Sequence, residues 1–220
     1  MQLMHAGRLF DFICSKSQFD ELECAEFIQQ LLDVVKYLHN CRIAHLDIKP
    51  ENLLAEVGTG STNLKLIDFG DARHIYNNYY IHPLPGNPEF LAPEIVAGTP
   101  VGLLTDIWSV GVVLYVMLSG VSPFLDESEE ETCSNILRND YCFPEEFFAG
   151  ISPEAKDLIS SILVEDLSKR PTVQVCLESS WVKKAIMNKS SQLHQKPIPT
   201  ARLADFVKRR SHQVLRSSDD

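Results

Sequence analysis

Apolar residues recur at helical spacing in the segment 17–40, which is the first clear element of the chain. They lie three or four residues apart and so share one face of a helix: Leu22, Ala25, Ile28, Leu31, Leu32, Val35 and Leu38. Asp20 precedes the first of them and Glu23 follows three residues later, a pattern typical of a capped helix start. The pattern predicts a helix with one buried face.

Two short stretches, 52–55 and 64–67, are β-like, and the turn-forming residues between them favour a hairpin. Residues 105–119 are apolar on nearly every face, which predicts a helix buried on all sides and ended by Gly120. Further helices are predicted at 128–139, after Ser152, at 173–186 and at 201–212, whereas 70–104 is predicted to be an ordered loop. The expected fold is mainly α with a small β-hairpin.

The composition argues against a nucleic-acid-binding, membrane-spanning or secreted protein. The 220 residues carry a net charge of −10, which argues against nucleic acid as a main partner because phosphate binding relies on basic surface. The longest apolar run, 107–118, is shorter than the roughly 20 residues that span a bilayer. The six cysteines form no CxxC pair, and no basic stretch precedes an apolar core at the start of the sequence. These features predict a cytoplasmic location.

Four polar residues around the predicted hairpin carry candidate chemistry. Asp47 lies on the loop before the hairpin, Asn52 begins its first strand, and Asp68 follows its second strand. Their side chains are therefore expected to converge at one end of the hairpin, with Lys49 between them as a cation. Phosphoryl transfer needs this set: a carboxylate near the attacking hydroxyl, oxygen ligands for magnesium, and a positive charge.

These residues carry a resemblance to protein kinases. HLDIKPEN resembles the kinase catalytic loop, DFG the metal-binding triplet, and APE the end of the activation segment. The buried run TDIWSVGVVLYVMLSGVSPF resembles the central kinase helix, and KRP resembles the motif whose Arg pairs with the Glu of APE. All five motifs occur in the family's order, and the resemblance covers roughly residues 1–186.

The resemblance implies a role for each matching residue. Asp47 is expected to be the catalytic base and Lys49 to contact the transferred phosphate, as in serine/threonine rather than tyrosine kinases. Asn52 and Asp68 are expected to bind magnesium. The expected cofactors are ATP and Mg, and the expected partner is a protein with a Ser or Thr hydroxyl.

Three more residues are expected to border the nucleotide, and three are expected to support the architecture. Met1, near the gatekeeper position, Leu3, and Leu54 under the adenine belong to the first group. The second group consists of an ion pair and a residue that holds the catalytic loop: Glu94, Arg170 and Asp106.

Four longer stretches resemble the calcium/calmodulin-kinase group, most closely the Trio and kalirin kinase domains and also the death-associated kinases. They are NCRIAHLDIKPENLL, YYIHPLPGNPEFLAPEIV, LSGVSPFLDESEEETCSNI and ARLADFVKRRSHQ. Leu46 stands where most kinases have an Arg before the catalytic Asp. A phosphate on the activation segment would lack that charge partner, so activity is expected not to require one.

The sequence also departs from the kinase pattern. No Gly-rich loop and no Val-Ala-x-Lys strand precede the catalytic loop, and residues 1–12 resemble the hinge between the lobes. The expectation is therefore a C-terminal lobe at 1–186 with the N-terminal β-rich lobe absent, followed by a linker and short basic tail at 187–220. A truncated chain with little activity of its own is expected, and the alternative is a non-catalytic interaction or regulatory module.

The tail places Leu203, Phe206 and Val207 on one helical face beside a basic run. Such a helix is typical of a calmodulin-like target or of an autoinhibitory segment. Plain docking on the domain and disorder both stay open as alternatives.

Overall fold

The computed structural model describes residues 6–58, 62–76, 79–80, 88–188 and 197–217. Its ten α-helices within these residues are α1 Leu9–Ser15, α2 Glu21–Asn40, α3 Pro93–Val96, α4 Leu104–Ser119, α5 Glu129–Arg138, α6 Glu145–Phe148, α7 Pro153–Ile162, α8 Val173–Leu177, α9 Ser180–Asn188 and α10 Ala201–Ser217. Its seven strands are β1 Ala6–Arg8, β2 Ile43–Ala44, β3 Leu53–Val57, β4 Thr62–Leu66, β5 Arg73–His74, β6 Tyr79–Tyr80 and β7 Pro100–Val101.

The central helix α4 organises the core because nearly all of its side chains are buried. It packs against α2, α7 and α10, and Trp108 stacks on Phe124 with ring centroids 5.2 Å apart. Gly120 ends α4 with a φ of 75°, a left-handed conformation that glycine adopts without steric cost. A Cβ there would lie 2.8 Å from the backbone nitrogen of Leu203, so this glycine also allows α10 to approach closely.

The predicted helix starts are confirmed by their caps. The Asp20 carboxylate accepts from the backbone N–H of Glu23 at 2.9 Å, and Ser152 caps α7 by accepting from the N–H of Ala155. One helix was predicted at 173–186, and the structure instead has α8 and α9, separated by a break near Glu178. The tail helix α10 extends beyond the predicted 201–212.

The prediction of a mainly α fold with a single small hairpin is wrong. The hairpin exists as β3 and β4, but β1 adds to β3 and makes a three-stranded antiparallel sheet. Two more antiparallel pairs, β2 with β5 and β6 with β7, were not predicted, and β5, β6 and β7 lie in 70–104, which was predicted to be a loop. These strands have two or three residues each and form by pairing with distant segments, so they leave no periodicity in the sequence.

Candidate active site

The loop between β2 and β3 brings three of the predicted site residues together. The Asp47 carboxylate oxygen Oδ2 lies 2.8 Å from the Lys49 ammonium. The same oxygen accepts from the Asn52 amide at 2.8 Å, and that amide also donates to the Asp47 carbonyl. Asn52 reaches back because the chain turns through a 3₁₀ helix at Pro50–Asn52. The side chains of Asp47 and Lys49 stay partly exposed, at 20% and 34%, so this cluster is open to a ligand.

Asp68 is positioned near the same loop because the residues on either side of it, Ile67 and Phe69, contact that loop. The N–H of Ile67 donates to the carbonyl of Asn52 at 3.0 Å, and the Ile67 carbonyl lies 3.1 Å from Nε2 of His45. On the other side of Asp68, the ring of Phe69 meets the His45 ring edge to face, with centroids 4.8 Å apart. Asp68 itself is exposed and has a φ of 62°. The end of β4 is thereby fixed against the loop that carries Asp47.

Asp106, at the start of α4, holds the backbone of this loop, as the kinase resemblance implies. Its buried carboxylate accepts from the N–H groups of His45 and Leu46 at 2.9 and 2.8 Å. Leu46 has a φ of 66°, which is unfavourable for a branched side chain and needs such support. His39 also contacts the carboxylate at 2.9 Å. His39 could not be identified from the sequence, because a lone histidine in a helix gives no local signal.

A buried ion pair fixes the segment that follows the predicted activation loop. Both terminal nitrogens of Arg170 donate to the Glu94 carboxylate at 2.7 Å, which confirms the predicted pair. Leu46 is buried in a small apolar cluster with Ile95 and Val101 from the same region. The leucine therefore makes an apolar contact at the position where most kinases carry an arginine.

A family model described as "Protein kinase domain" matches residues 1–182. The chain belongs to the protein kinase family.

Two relatives show which protein kinases this chain is similar to. The chain is 45% identical to death-associated protein kinase 2 of Homo sapiens over 183 residues, which is 83% of this chain and 50% of that protein. It is 44% identical to death-associated protein kinase dapk-1 of Caenorhabditis elegans, again over 83% of this chain but only 13% of that protein. The chain thus spans half or less of the length of these relatives.

Solved structures give the same family. The twitchin kinase region from C. elegans superposes with a TM-score of 0.86 at 34% identity, over 95% of this chain and 36% of that one. The autoinhibited serine kinase domain of titin gives 0.85 at 31% identity, over 94% of this chain and 63% of that one. The prediction of a C-terminal lobe alone is wrong, because the protein kinase domain model matches residues 1–182 and the superposed structures are kinase domains.

Of the three residues predicted to border the nucleotide, one lies within the described part of the chain. Leu54 is half-buried on β3 and pairs with Arg8 of β1. Met1 and Leu3 lie outside the described residues. The role of each residue and the division of the chain at residue 186 stay predictions.

Within the described ranges, no helix has the length and apolarity that a membrane span requires.

The C-terminal helix α10 packs close to the catalytic loop, and this contact could not be predicted from the sequence. Arg210, on α10, is buried and donates to Glu51 at 2.5 and 3.1 Å and to Glu89 at 3.1 Å. Arg209 adds contacts of 3.2 and 3.3 Å to the buried Glu89. Burial raises the pKa of Glu51, but the hydrogen bonds and charge of Arg210 outweigh it, so the pKa lies below its ordinary value. Phe206 packs between Phe10 and Phe90.

Proposed function

We propose that this kinase transfers the γ-phosphoryl group of ATP to serine or threonine hydroxyls of a protein substrate. The observation that supports this most is the single carboxylate of Asp47, which lies 2.8 Å from both the Lys49 ammonium and the Asn52 amide. In kinases such a carboxylate accepts the proton of the attacking hydroxyl. Lys49 favours a serine/threonine kinase, since the family resemblance associates a lysine two residues after the Asp with that class.

The residues at the site fit a magnesium ion held together with nucleotide phosphates. Asp68 offers an exposed carboxylate, and Asn52 uses its amide nitrogen toward Asp47, which leaves its amide oxygen as an acceptor. The described residues contain no cluster of three or more His, Cys, Asp or Glu for a metal. Phosphate oxygens would therefore complete the coordination, as is usual for magnesium in kinases. When bound, the ion neutralises charge that develops on the phosphates.

Within this proposal the protein's own groups supply positioning and charge. Asp47 orients the hydroxyl and takes its proton, while Lys49 stabilises the negative charge on the transferred group. Asn52 fixes the Asp47 carboxylate through its hydrogen bond. Leu54 lies on the strand that would form the floor of the adenine site. Positioning and electrostatic stabilisation account for most of the catalysis in this reaction.

The test replaces Asp47 with Asn, which keeps the size of the side chain and removes the base. We expect the chain to phosphorylate a basic serine peptide in the presence of ATP and magnesium. Asp47→Asn should lower the rate by roughly a hundredfold or more. Asp157→Asn, on the exposed face of α7, is the matched control and should leave the rate unchanged. Nucleotide binding without any phosphoryl transfer, by the unmodified chain and also by Arg210→Ala, would instead favour a non-catalytic interaction module.

We also propose that α10 restrains this activity. Arg210 bonds to Glu51, which lies four residues after Asp47, and to Glu89, in the segment before the Glu94–Arg170 pair. The helix therefore couples the catalytic loop to the activation segment. Solved relatives include a titin kinase domain described as autoinhibited and a twitchin fragment described as autoregulated. The basic, amphipathic sequence of α10 also suits binding by a calmodulin-like protein.

Arg210→Ala tests this restraint. Removal of the guanidinium leaves Glu51 without its partner and Glu89 with fewer bonds, so α10 should dissociate more often and the transfer rate should rise severalfold. Lys208→Ala serves as the control. Its side chain is 75% exposed and its ion pair is with Asp205, not with Glu51 or Glu89. An unchanged or lower rate in Arg210→Ala, with α10 shown to be displaced, would contradict an inhibitory role.

Two finer assignments complete the proposal. The cysteines are all free thiols, which agrees with the cytoplasmic location we propose. A closer relation to the Trio and kalirin kinase domains than to the death-associated kinases stays a prediction.

A further inference from the structure

Ser211 lies beside the salt-bridge network that holds α10 in place. Its hydroxyl donates to the carbonyl of Val207, one turn earlier, at 3.0 Å, and its side chain is half-buried. It lines a crevice between α1 and α10 together with Arg8, Asp11, Glu51 and Arg210. A modification at Ser211 would therefore act directly on the contacts of the tail.

The sequence before Ser211 consists of three consecutive basic residues, Lys208, Arg209 and Arg210. The side chain of Lys208 is 75% exposed, whereas Arg209 and Arg210 bind carboxylates of this chain. Once the last turns of α10 open, all three become available to an acidic cleft of another enzyme. Ser211 lies within the last two turns of α10, so access by another enzyme requires these turns to open together with the Arg209 and Arg210 contacts.

We propose that Ser211 is a phosphorylation site for a serine kinase that recognises basic sequences, and that the phosphate releases α10. The inference rests on the restraining role proposed for that helix. In the reaction the Ser211 Oγ attacks the γ-phosphorus of ATP and forms an O–P bond. The bond from the γ-phosphorus to the bridging oxygen breaks and ADP leaves. The hydroxyl proton passes to a carboxylate of the modifying kinase.

The charges around Ser211 decide the direction of the effect. The crevice has two cations, Arg8 and Arg210, and two anions, Asp11 and Glu51. A phosphate adds a charge of roughly −1.5 to −2. Arg210 already bonds to Glu51 and Glu89, so a phosphate can use it only by taking it from them.

Either arrangement of the phosphate weakens docking. If Arg210 stays in place, the dianion lies beside Asp11 and Glu51 and is repelled. If Arg210 turns to the phosphate, Glu89, whose side chain is fully buried, loses one of its two arginines. Phosphorylation also removes the hydroxyl hydrogen that bonds to Val207. Arg8 in the crevice and Lys208, three residues before Ser211 on α10, both favour the docked phosphorylated state, so each needs its own control.

The first experiment tests whether the site is modified. The chain is incubated with ATP, magnesium and a purified arginine-directed serine kinase, and the phosphate is located by mass spectrometry. We expect Ser211 to be modified. Ser168 is the control: it is exposed, but an acidic residue, Asp166, lies two residues before it, so it should stay unmodified. A chain that stays unmodified at Ser211 under conditions that phosphorylate a basic reference peptide would overturn the proposal.

The second experiment measures release without using this chain's own activity. Phosphoserine is incorporated at position 211 during synthesis, and hydrogen exchange is followed at the amides of residues 201–210. Release predicts exchange faster by roughly tenfold or more than in the unmodified chain. The same acceleration should persist in Arg8→Ala and in Lys208→Ala. Unchanged or slower exchange would overturn the proposal, since it would mean that the phosphate is neutral or locks the helix.

The two readouts separate this inference from the proposed function. Exchange reports docking of α10 even if the chain transfers no phosphoryl group. Faster exchange with an unchanged transfer rate would leave the Ser211 switch intact and refute the restraint by α10.

Discussion

At the scale of single residues, the catalytic loop depends on a carboxylate that takes no part in the proposed chemistry. Asp106 is fully buried and accepts from two consecutive backbone N–H groups, those of His45 and Leu46. Leu46 is held in a left-handed conformation that costs about 1 kcal/mol or more for a non-glycine residue. The loop keeps this conformation because Asp106 satisfies both amides, and this geometry in turn directs Asp47.

Asp106→Ala should therefore destabilise the fold and distort the site. Two buried amides and His39 lose their acceptor, so we expect the free energy of unfolding to fall by about 3 kcal/mol in urea titrations. Asp106→Asn retains one acceptor oxygen and should lose less. Asp157→Asn, an exposed change, should have no effect. If Asp106→Ala unfolds at the same urea concentration as the unmodified chain, the anchoring role is refuted.

At the scale of elements, one carboxylate at the start of α2 joins three helices. Glu21 accepts from the backbone N–H of Ser152 at 2.9 Å and from its hydroxyl. It also accepts from the indole N–H of Trp181 at 2.6 Å. Ser152 is the N-cap of α7 and Trp181 lies on α9. The helix starts were readable from local sequence, but this junction was not, because its members are 131 and 160 residues apart.

Loss of this junction should loosen α7 and α9 together. In Glu21→Ala the Ser152 amide, the Ser152 hydroxyl and the Trp181 indole lose a common acceptor, and we expect a loss of about 2–4 kcal/mol in unfolding free energy. Trp181 fluorescence should report the change at its indole. Asp33→Ala, on the exposed face of the same helix, is the control. Equal stability of the two variants would show that the three helices pack without this carboxylate.

At the scale of the whole molecule, the sequence revealed local patterns better than long-range contacts. The catalytic motifs, the caps of α2 and α7 and the buried helix α4 were predicted because each depends on residues near one another in the chain. The short strands and the destination of the tail depend on partners far away: Arg210 and Glu51 are 159 residues apart. Glu51 and Glu89 look like ordinary surface acids until the folded chain brings two arginines to them.

The Glu94–Arg170 pair is the clearest case of two distant parts of the chain held by one contact. Its residues are 76 positions apart and its side chains are almost completely buried, at 5% and 0% exposure. The motifs predicted this pair, although its other bonds were not foreseen. The Arg170 guanidinium also lies over the Trp108 ring, 5.0 Å from its centroid. Arg170 thus connects the end of the activation segment to the core around α4.

Arg170→Met should cost about 3–5 kcal/mol of unfolding free energy, because the buried Glu94 carboxylate is left without its cation. Glu94→Gln combined with Arg170→Met removes both charges and should recover part of that loss in a double-mutant cycle. Recovery should stay incomplete, since Arg170 also donates to the carbonyls of Val164, Leu104 and Glu165, at 2.8, 3.3 and 3.1 Å. A double variant as stable as the unmodified chain would mean that these carbonyls find other donors. A double variant no better than Arg170→Met would mean that the arginine stabilises the fold through its carbonyl contacts and packing rather than through the ion pair.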